Sequence, residues 1–186
     1  MAKHPHVPGE SVYGLADFFN TFCPEFVGMT YRPLVVKIRD WDGAEFAPRI
    51  HDLNAEQAAK RWAAYVGTEE VARVADKLRG KDNASFRFGV KKEGYGYRGE
   101  RGDFCLIGGA IRQGHLTVFY RRLELINGWS WDAWMLERLH AELKAAGALA
   151  MGSTWKTVQI MAVQADIFAR EGATGQYERL KELYAR

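Results

Sequence analysis

A cysteine and a pair of arginines are the side chains in this sequence best suited to do chemistry together. Cys105 lies on one segment that reads as a strand, and Arg121 and Arg122 end the next. A thiolate is the reactive form of cysteine, and neighbouring guanidinium groups favour it. The same groups can bind a phosphate through paired hydrogen bonds. Side chains alternate along a strand, so only one of the two arginines can face a pocket.

A tryptophan-rich block follows these strands and is predicted to open a helix. It reads Gly128-Trp129-Ser130-Trp131-Asp132. A carboxylate at a helix start commonly caps the helix, but it can also accept a hydrogen bond from the amino group of a base. Trp131 can pack in the core or stack on a base. Cys105, Arg122 and Asp132 together suggest a nucleotide pocket, with a buried structural cysteine as the alternative.

The elements that must position these residues are both strands and helices, without a strict alternation. This mixture predicts an α+β fold. Hydrophobic periodicity and turn residues predict strands over 33–39, 85–90, 104–111, 115–121 and 148–151. They predict helices over 11–22, 55–66, 68–80, 132–146, 159–170 and 174–186. Arg112-Gln113-Gly114 is predicted to join two of the strands as a hairpin, and Gly147 to end the fourth helix.

Composition favours one domain spanning residues 1–186, with a flexible lead-in over residues 1–9. The chain has 186 residues, of which 47% are hydrophobic, and a net charge of +3. Two cysteines do not make a disulfide framework, and neither a signal peptide nor a membrane-spanning run is evident. These features predict a soluble cytoplasmic protein that has no membrane partner. No zinc-ligand spacing occurs, so no metal site is predicted.

Four sequence blocks resemble the thymidylate synthase and dCMP hydroxymethylase superfamily, in the family's order. The chain is similar to the family over roughly residues 68 to 171, with a weaker trace from 33 to 67. The blocks are Leu78–Arg87, Phe104-Cys105-Leu106, Tyr120–Glu124 and Gly128–Asp132. The resemblance implies a thymidylate-synthase-like sheet with packed helices, in which the strands are mixed or antiparallel. It also implies a homodimer.

The resemblance assigns roles to several residues. It implies that Cys105 adds to C6 of a pyrimidine and that Arg122 binds the phosphate of a nucleoside monophosphate. Arg87 matches one of the arginines that cross the family's dimer interface to the partner's phosphate. Asp132 stands where the cytosine-using members carry an aspartate, so a cytosine nucleotide is slightly preferred over dUMP.

The chain departs from the family at the positions of the general base, the sugar ligands and the cofactor. No carboxylate stands at Ala59 or Lys60, where the family places its general base, so the base would be Glu56, Glu124 or a water that they hold. The family's sugar-binding His-x-Tyr is replaced in the segment around Lys156 and Thr157. The stretch from Gly67 to Arg87 is much shorter than in the family. The implied one-carbon donor, methylenetetrahydrofolate, would therefore lose part of its site.

Three functions are consistent with these residues. The first is a C5 methyl- or hydroxymethyltransferase for a pyrimidine nucleotide, with Cys105 as the nucleophile. The second is a non-catalytic relative that keeps the nucleotide site. The third is an enzyme acting on a pyrimidine within a polynucleotide, because the basic, glycine-rich segment 91–103 could bind a strand by charge and stacking. A solvated loop is the simpler interpretation of that segment.

Overall fold

Nine strands and two helices have bounds within the part of the chain described by the computed structural model. The described residues are 10–13, 17–18, 20–21, 30–41, 56, 59–60, 62–63, 66–87, 106–125 and 127–166. The strands are β1 Glu10–Tyr13, β2 Thr30–Tyr31, β3 Leu34–Arg39, β4 Asn83–Arg87, β5 Leu106–Arg112, β6 His115–Tyr120, β7 Leu123–Glu124, β8 Thr157–Ala162 and β9 Ala165–Asp166. The helices are α1 Gly67–Gly80 and α2 Asn127–Ala145.

The strands form a large sheet and a small one. The large sheet has six strands in the order β1-β3-β8-β6-β5-β4, and the small sheet has three in the order β2-β9-β7. In the large sheet β1 pairs parallel with β3 and β6 parallel with β8, while the other pairs are antiparallel. The mixed sheets and the two helices confirm the predicted α+β class.

The core lies between the inner face of the large sheet and the two helices. Val36 pairs in register with Ile160, which pairs in register with Val118, and all three side chains are fully buried. The predicted apolar face of α2 is confirmed, because Leu136, Leu139 and Leu143 are also fully buried. Helix α2 lies between the parallel strands β6 and β8 in the chain, so it serves as the crossover that a parallel pair requires.

Two local predictions of turn geometry are confirmed. Gln113 and Gly114 join β5 to β6, and both have positive φ angles, 52° and 81°. Such angles belong to the tight turns that match the twist of a hairpin. Gly147 follows α2 with a φ of 69°, as expected of a residue that ends a helix.

Strand β5 contains an irregularity that only glycine fits. The register with β6 shifts between Leu106 and Gly108. At this shift Gly108 has a φ of 154°, and a Cβ on it would lie 2.3 Å from the carbonyl oxygen of Phe86 on β4. Strands β4 and β5 therefore approach too closely there for any side chain.

The predicted helix over 159–170 is wrong over its first residues, because Thr157–Ala162 is strand β8 and Ala165–Asp166 is strand β9. Residues such as Gln159 and Met161 favour helices in isolation. β8 nevertheless lies between β3 and β6, where Val158, Ile160 and Ala162 point into the core. Long-range pairing and burial override the local preference here.

Two helix starts and one strand also differ from the predictions. The helix predicted from residue 11 starts later, because Glu10–Tyr13 pairs with β3 as strand β1. Helix α2 begins at Asn127 instead of Asp132. The predicted strand over 148–151 is absent, and these residues lie in the turns after α2. The predicted helix over 174–186 and the lead-in over residues 1–9 lie outside the described residues.

Neither described helix is long and apolar enough to cross a membrane.

Candidate functional site

Arg87, Arg121 and Arg122 lie at one end of the large sheet. Strand β5 begins at Leu106, the residue after Cys105, and Leu106 pairs with Tyr120 at the end of β6. Arg122 follows Tyr120 by two residues. Cys105 itself lies outside the described residues. The strand that follows Cys105 in the chain and the strand that leads to Arg122 thus run side by side at this end of the sheet.

Arg122 is held by a buried carboxylate. Its Nε donates to Oδ2 of Asp166 at 2.6 Å. The Asp166 side chain is only 4% exposed, whereas that of Arg122 is 46% exposed. The guanidinium therefore extends from a buried anchor to the surface. This is the geometry of an arginine held in one orientation, whether for structure or for a ligand.

A third polar side chain completes this cluster. Gln164 donates from Nε2 to both carboxylate oxygens of Asp166, at 2.8 and 2.7 Å. The backbone N–H of Leu125 donates to the carbonyl oxygen of Asp166 at 3.0 Å, and that of Leu123 to Gln164 at 2.8 Å. Asp166 is therefore fixed by side chain and backbone together. We call Arg122, Gln164 and Asp166 the arginine–aspartate cluster.

The two candidate general bases have different surroundings. Glu124 is half-buried on β7 and pairs in register with Asp166 of β9, so it lies beside the arginine–aspartate cluster. Glu56 is exposed and forms a salt bridge with Lys60 at 2.7 Å. The strand pairing thus places Glu124 beside Asp166, the partner of Arg122.

Arg87 ends β4 at the same end of the large sheet. It pairs with Gly108, which pairs with Phe119 near the end of β6. Its side chain is exposed, and its backbone N–H donates to Oε1 of Glu70 at 2.8 Å. Glu70 also accepts from Nε and Nη2 of Arg73, at 2.8 and 2.6 Å. The hydrogen bond to Glu70 raises the pKa of Arg73, while burial opposes this.

Asp132 lies inside α2 instead of at its start, so it does not cap the helix. Its side chain is 5% exposed. The early start of the helix moves the tryptophan-rich block into its first turns, and Asn127, which opens α2, is a residue type common at helix starts. The side chain of Trp131 is outside what the structure describes. Base readout by Asp132 stays a prediction.

Lys156 and Thr157 lie at the opposite end of the large sheet from Arg122. Thr157 begins β8 and pairs with His115, whereas Ala162, at the other end of β8, pairs with Tyr120. The five residue steps along β8 from Thr157 to Ala162 span about 16 Å. Thr157 is buried and its Oγ1 lies 2.9 Å from Nδ1 of His115, while Lys156 is exposed. The structure does not bring these two residues to the arginine–aspartate cluster.

Arg121 is the last of the predicted site residues to be placed, and Asp166, Gln164 and Glu70 were not predicted. Arg121 is exposed at the end of β6. Sequence reasoning missed Asp166 and Gln164, because both were assigned to a helix. Glu70 lies in the first turn of the helix predicted over 68–80, and the i,i+3 spacing between Glu70 and Arg73 is visible in the sequence.

No group of three or more His, Cys, Asp or Glu side chains in the described ranges could hold a metal ion. Comparison with protein-family models and with curated proteins finds no match for this chain.

Proposed function

We propose that this protein is a pyrimidine nucleotide C5 methyl- or hydroxymethyltransferase with Cys105 as its nucleophile. The observation that supports this most is the pairing of Leu106 with Tyr120, since it sets the strand that follows Cys105 beside the one that leads to Arg122. Cys105 directly precedes β5 in the chain, and Arg122 follows β6 by two residues. A nucleophile and a phosphate ligand in these positions would suit a substrate that carries both a reactive base and a phosphate.

The proposed chemistry begins at the base. The Cys105 thiolate adds to C6, which makes C5 a nucleophile toward a one-carbon electrophile. A base then removes the C5 proton, and the carrier of the one-carbon unit leaves to give an exocyclic methylene. This carbon takes hydride from the reduced carrier, which is oxidised, to become methyl, or takes water to become hydroxymethyl, and Cys105 leaves as the C5–C6 double bond re-forms. Covalent addition divides one difficult step into easier ones. Glu124 is favoured over Glu56 as the base because it lies beside the arginine–aspartate cluster.

Methylenetetrahydrofolate as the one-carbon donor rests on the resemblance alone. Between Gly67 and Arg87 the chain consists of α1, a connection at Lys81 and Asp82, and β4. No further segment is left in this described stretch to enclose a folate. The proposal therefore concerns the nucleotide half of the reaction, with dCMP or CMP slightly preferred over dUMP on the strength of Asp132.

Binding of four monophosphates (dUMP, dCMP, UMP and CMP) tests the proposal by thermal shift and calorimetry. The 5-fluoro analogue of the best ligand is then incubated with the protein, and the intact mass is measured. We expect saturable binding and a covalent adduct that is absent in Cys105→Ala. Binding without an adduct would indicate a non-catalytic nucleotide-binding relative. Binding only of single-stranded DNA or RNA, with an affinity that falls as salt rises, would indicate polynucleotide modification.

We also propose that the protein is a homodimer, through the outer face of the large sheet. Ile107, Phe119, Met161 and Val163 are between 36% and 71% exposed. Phe119 and Met161 pair in register, and Ile107 lies in the bulge opposite Phe119. We call these four residues the outer apolar patch. Exposed apolar patches of this kind are typical of protein–protein interfaces.

The size of this face is compatible with a second copy. Six strands about 4.8 Å apart, each about 20 Å long, give a face of about 500 Å² before the flanking loops are added. Standard interfaces bury about 800 Å² per partner. The face is thus large enough to form most of a two-fold interface.

A further inference from the structure

The arginine–aspartate cluster contains a carboxylate to which no role in the reaction has yet been given. Asp166 is buried on β9, and its carboxylate accepts hydrogen bonds from both Arg122 and Gln164. A buried carboxylate is costly unless it is paired and hydrogen-bonded. The two donors meet that requirement, so the carboxylate can persist as a fixed negative anchor.

The contact between Asp166 and Arg122 fixes the plane of the guanidinium. Arginine has five N–H donors in one rigid plane, and Asp166 engages it at Nε. Because 46% of the Arg122 side chain is exposed, the group reaches from this anchor into solvent. An arginine restrained by a carboxylate loses less side-chain freedom when it meets a phosphate than an unrestrained arginine does.

The backbone keeps this anchor in register with the proposed site. Leu123 pairs with Ala165 and Glu124 with Asp166, so β7 and β9 move together. Arg122 directly precedes β7 in the chain. The position of Asp166 is therefore coupled to that of Arg122 through the small sheet as well as through the ion pair.

We propose that Asp166 is a positioning residue that orients Arg122 to bind the phosphate of a nucleoside monophosphate, and this inference rests on the proposed function. The alternative is an ion pair that only joins β7 to β9. The two differ in one measurable respect. A positioning role affects the part of the binding free energy due to phosphate, whereas a joining role affects stability alone.

Calorimetry with phosphate-bearing and phosphate-free ligands distinguishes these roles. The probes are dCMP with deoxycytidine, dUMP with deoxyuridine, and inorganic phosphate. We expect Asp166→Ala to raise the Kd of the better nucleotide at least tenfold and to leave the Kd of its nucleoside unchanged. Asp166→Asn keeps an oxygen that accepts from Nε, so its effect should be smaller.

Two further variants complete the experiment. In an Arg122→Ala background, Asp166→Ala should cause no additional loss of nucleotide affinity, since the residue acts through Arg122. Glu142→Ala is the matched control, because Glu142 pairs with Arg138 at 2.6 Å on the surface of α2. It should leave every Kd unchanged. If Asp166→Ala does not fold, Asp166→Asn replaces it in both the wild-type and the Arg122→Ala background.

The outcomes separate this inference from the proposed function. Nucleotide binding that Asp166→Ala leaves unchanged, or an equal loss for nucleotide and nucleoside, overturns the role of Asp166 and leaves the proposed function standing. Binding of phosphate that depends on Asp166, without preference for any base, supports the role and contradicts the proposed function. A wild-type protein that binds none of the phosphate-bearing probes overturns both.

Discussion

At the scale of single residues, His140 is the titratable group most altered by folding. It is 3% exposed on α2, its ring centroid lies 4.4 Å from that of Trp155, and its Nε2 lies 3.3 Å from Oγ of Ser153. Burial lowers its pKa to about 4 from the ordinary 6.5, and the charge of Lys144 adds to this. The folded protein therefore holds this histidine neutral at pH values where the unfolded chain protonates it.

We expect the free energy of unfolding to fall as pH decreases from 6.5 to 4. Below pH 6.5 the unfolded state binds a proton that the folded state does not accept until about pH 4, so acid favours unfolding. The loss attributable to His140 should reach about 3 kcal/mol, because one pKa unit corresponds to about 1.36 kcal/mol.

Urea unfolding of wild type and His140→Gln between pH 4 and pH 8 measures this contribution. Tryptophan fluorescence, to which Trp155 beside His140 contributes, follows the unfolding. The variant should show a flatter dependence of stability on pH, whatever its stability at pH 8. Parallel curves for the two proteins would show that His140 does not control the acid response.

Arg73 and Arg122 show at the same scale how one residue type serves two purposes. Arg73 uses Nε and Nη2 on Glu70 and also donates to the carbonyl oxygen of Ser85 at 2.8 Å. Arg122 meets Asp166 through Nε and extends into solvent. The first arrangement joins a helix to a strand, and the second suits the presentation of an arginine to a ligand.

At the scale of elements, β4 is an edge strand whose outer side is satisfied by side chains of α1. Arg73 donates to the carbonyl oxygen of Ser85, and Glu70 accepts from the N–H of Arg87. These two contacts take the place of a neighbouring strand. Natural proteins commonly cover sheet edges in this way to prevent pairing with other chains.

We expect Glu70→Ala to destabilise the protein by about 2 kcal/mol, because it leaves the N–H of Arg87 and the guanidinium of Arg73 without this buried carboxylate. The Arg87 amide should also exchange its hydrogen faster. Urea unfolding and hydrogen exchange measure the two effects.

The control for this prediction lies on the same helix. Asp76 forms an i,i+3 ion pair with Arg79, and the two side chains are 71% and 50% exposed. Exposed pairs contribute little, so Asp76→Ala should cost less than about 0.5 kcal/mol. Equal losses in the two variants would mean that Glu70 has no special role at the sheet edge.

At the scale of the whole molecule, the outer apolar patch predicts self-association. We expect wild type to have twice the 21.1 kDa mass of one chain by light scattering. Met161→Asp should reduce this to the mass of one chain, because a carboxylate in an apolar interface loses its hydration.

Met151→Asp is the matched control for the dimer. Met151 is 76% exposed in the turns after α2, outside the outer apolar patch. The same substitution there should leave the mass unchanged. A wild-type protein with the mass of one chain would contradict the homodimer, and dissociation by both variants would place the interface elsewhere.

Local sequence alone determined much of the large sheet and both helices. The apolar alternation of β3, the turn residues Gln113 and Gly114, and the apolar spacing of α2 predict those elements correctly. These signals depend on neighbours within a few residues, such as turn angles or the period of a helix. The assignment of Arg122 to a strand end beside the segment after Cys105 follows from the same signals, because a hairpin pairs adjacent strands.

Only the tertiary structure decided the partners of the site residues. β8 is a strand because it lies between β3 and β6, which are distant in the chain, although Gln159 and Met161 within it favour helices. The parallel pairing of β8 with β6 places Thr157 at the opposite end of the large sheet from Arg122. Asp166 meets Arg122 because β9 pairs with β7 across a long crossover. Contacts of this kind depend on burial and strand pairing across the whole chain, which short-range periodicity does not encode.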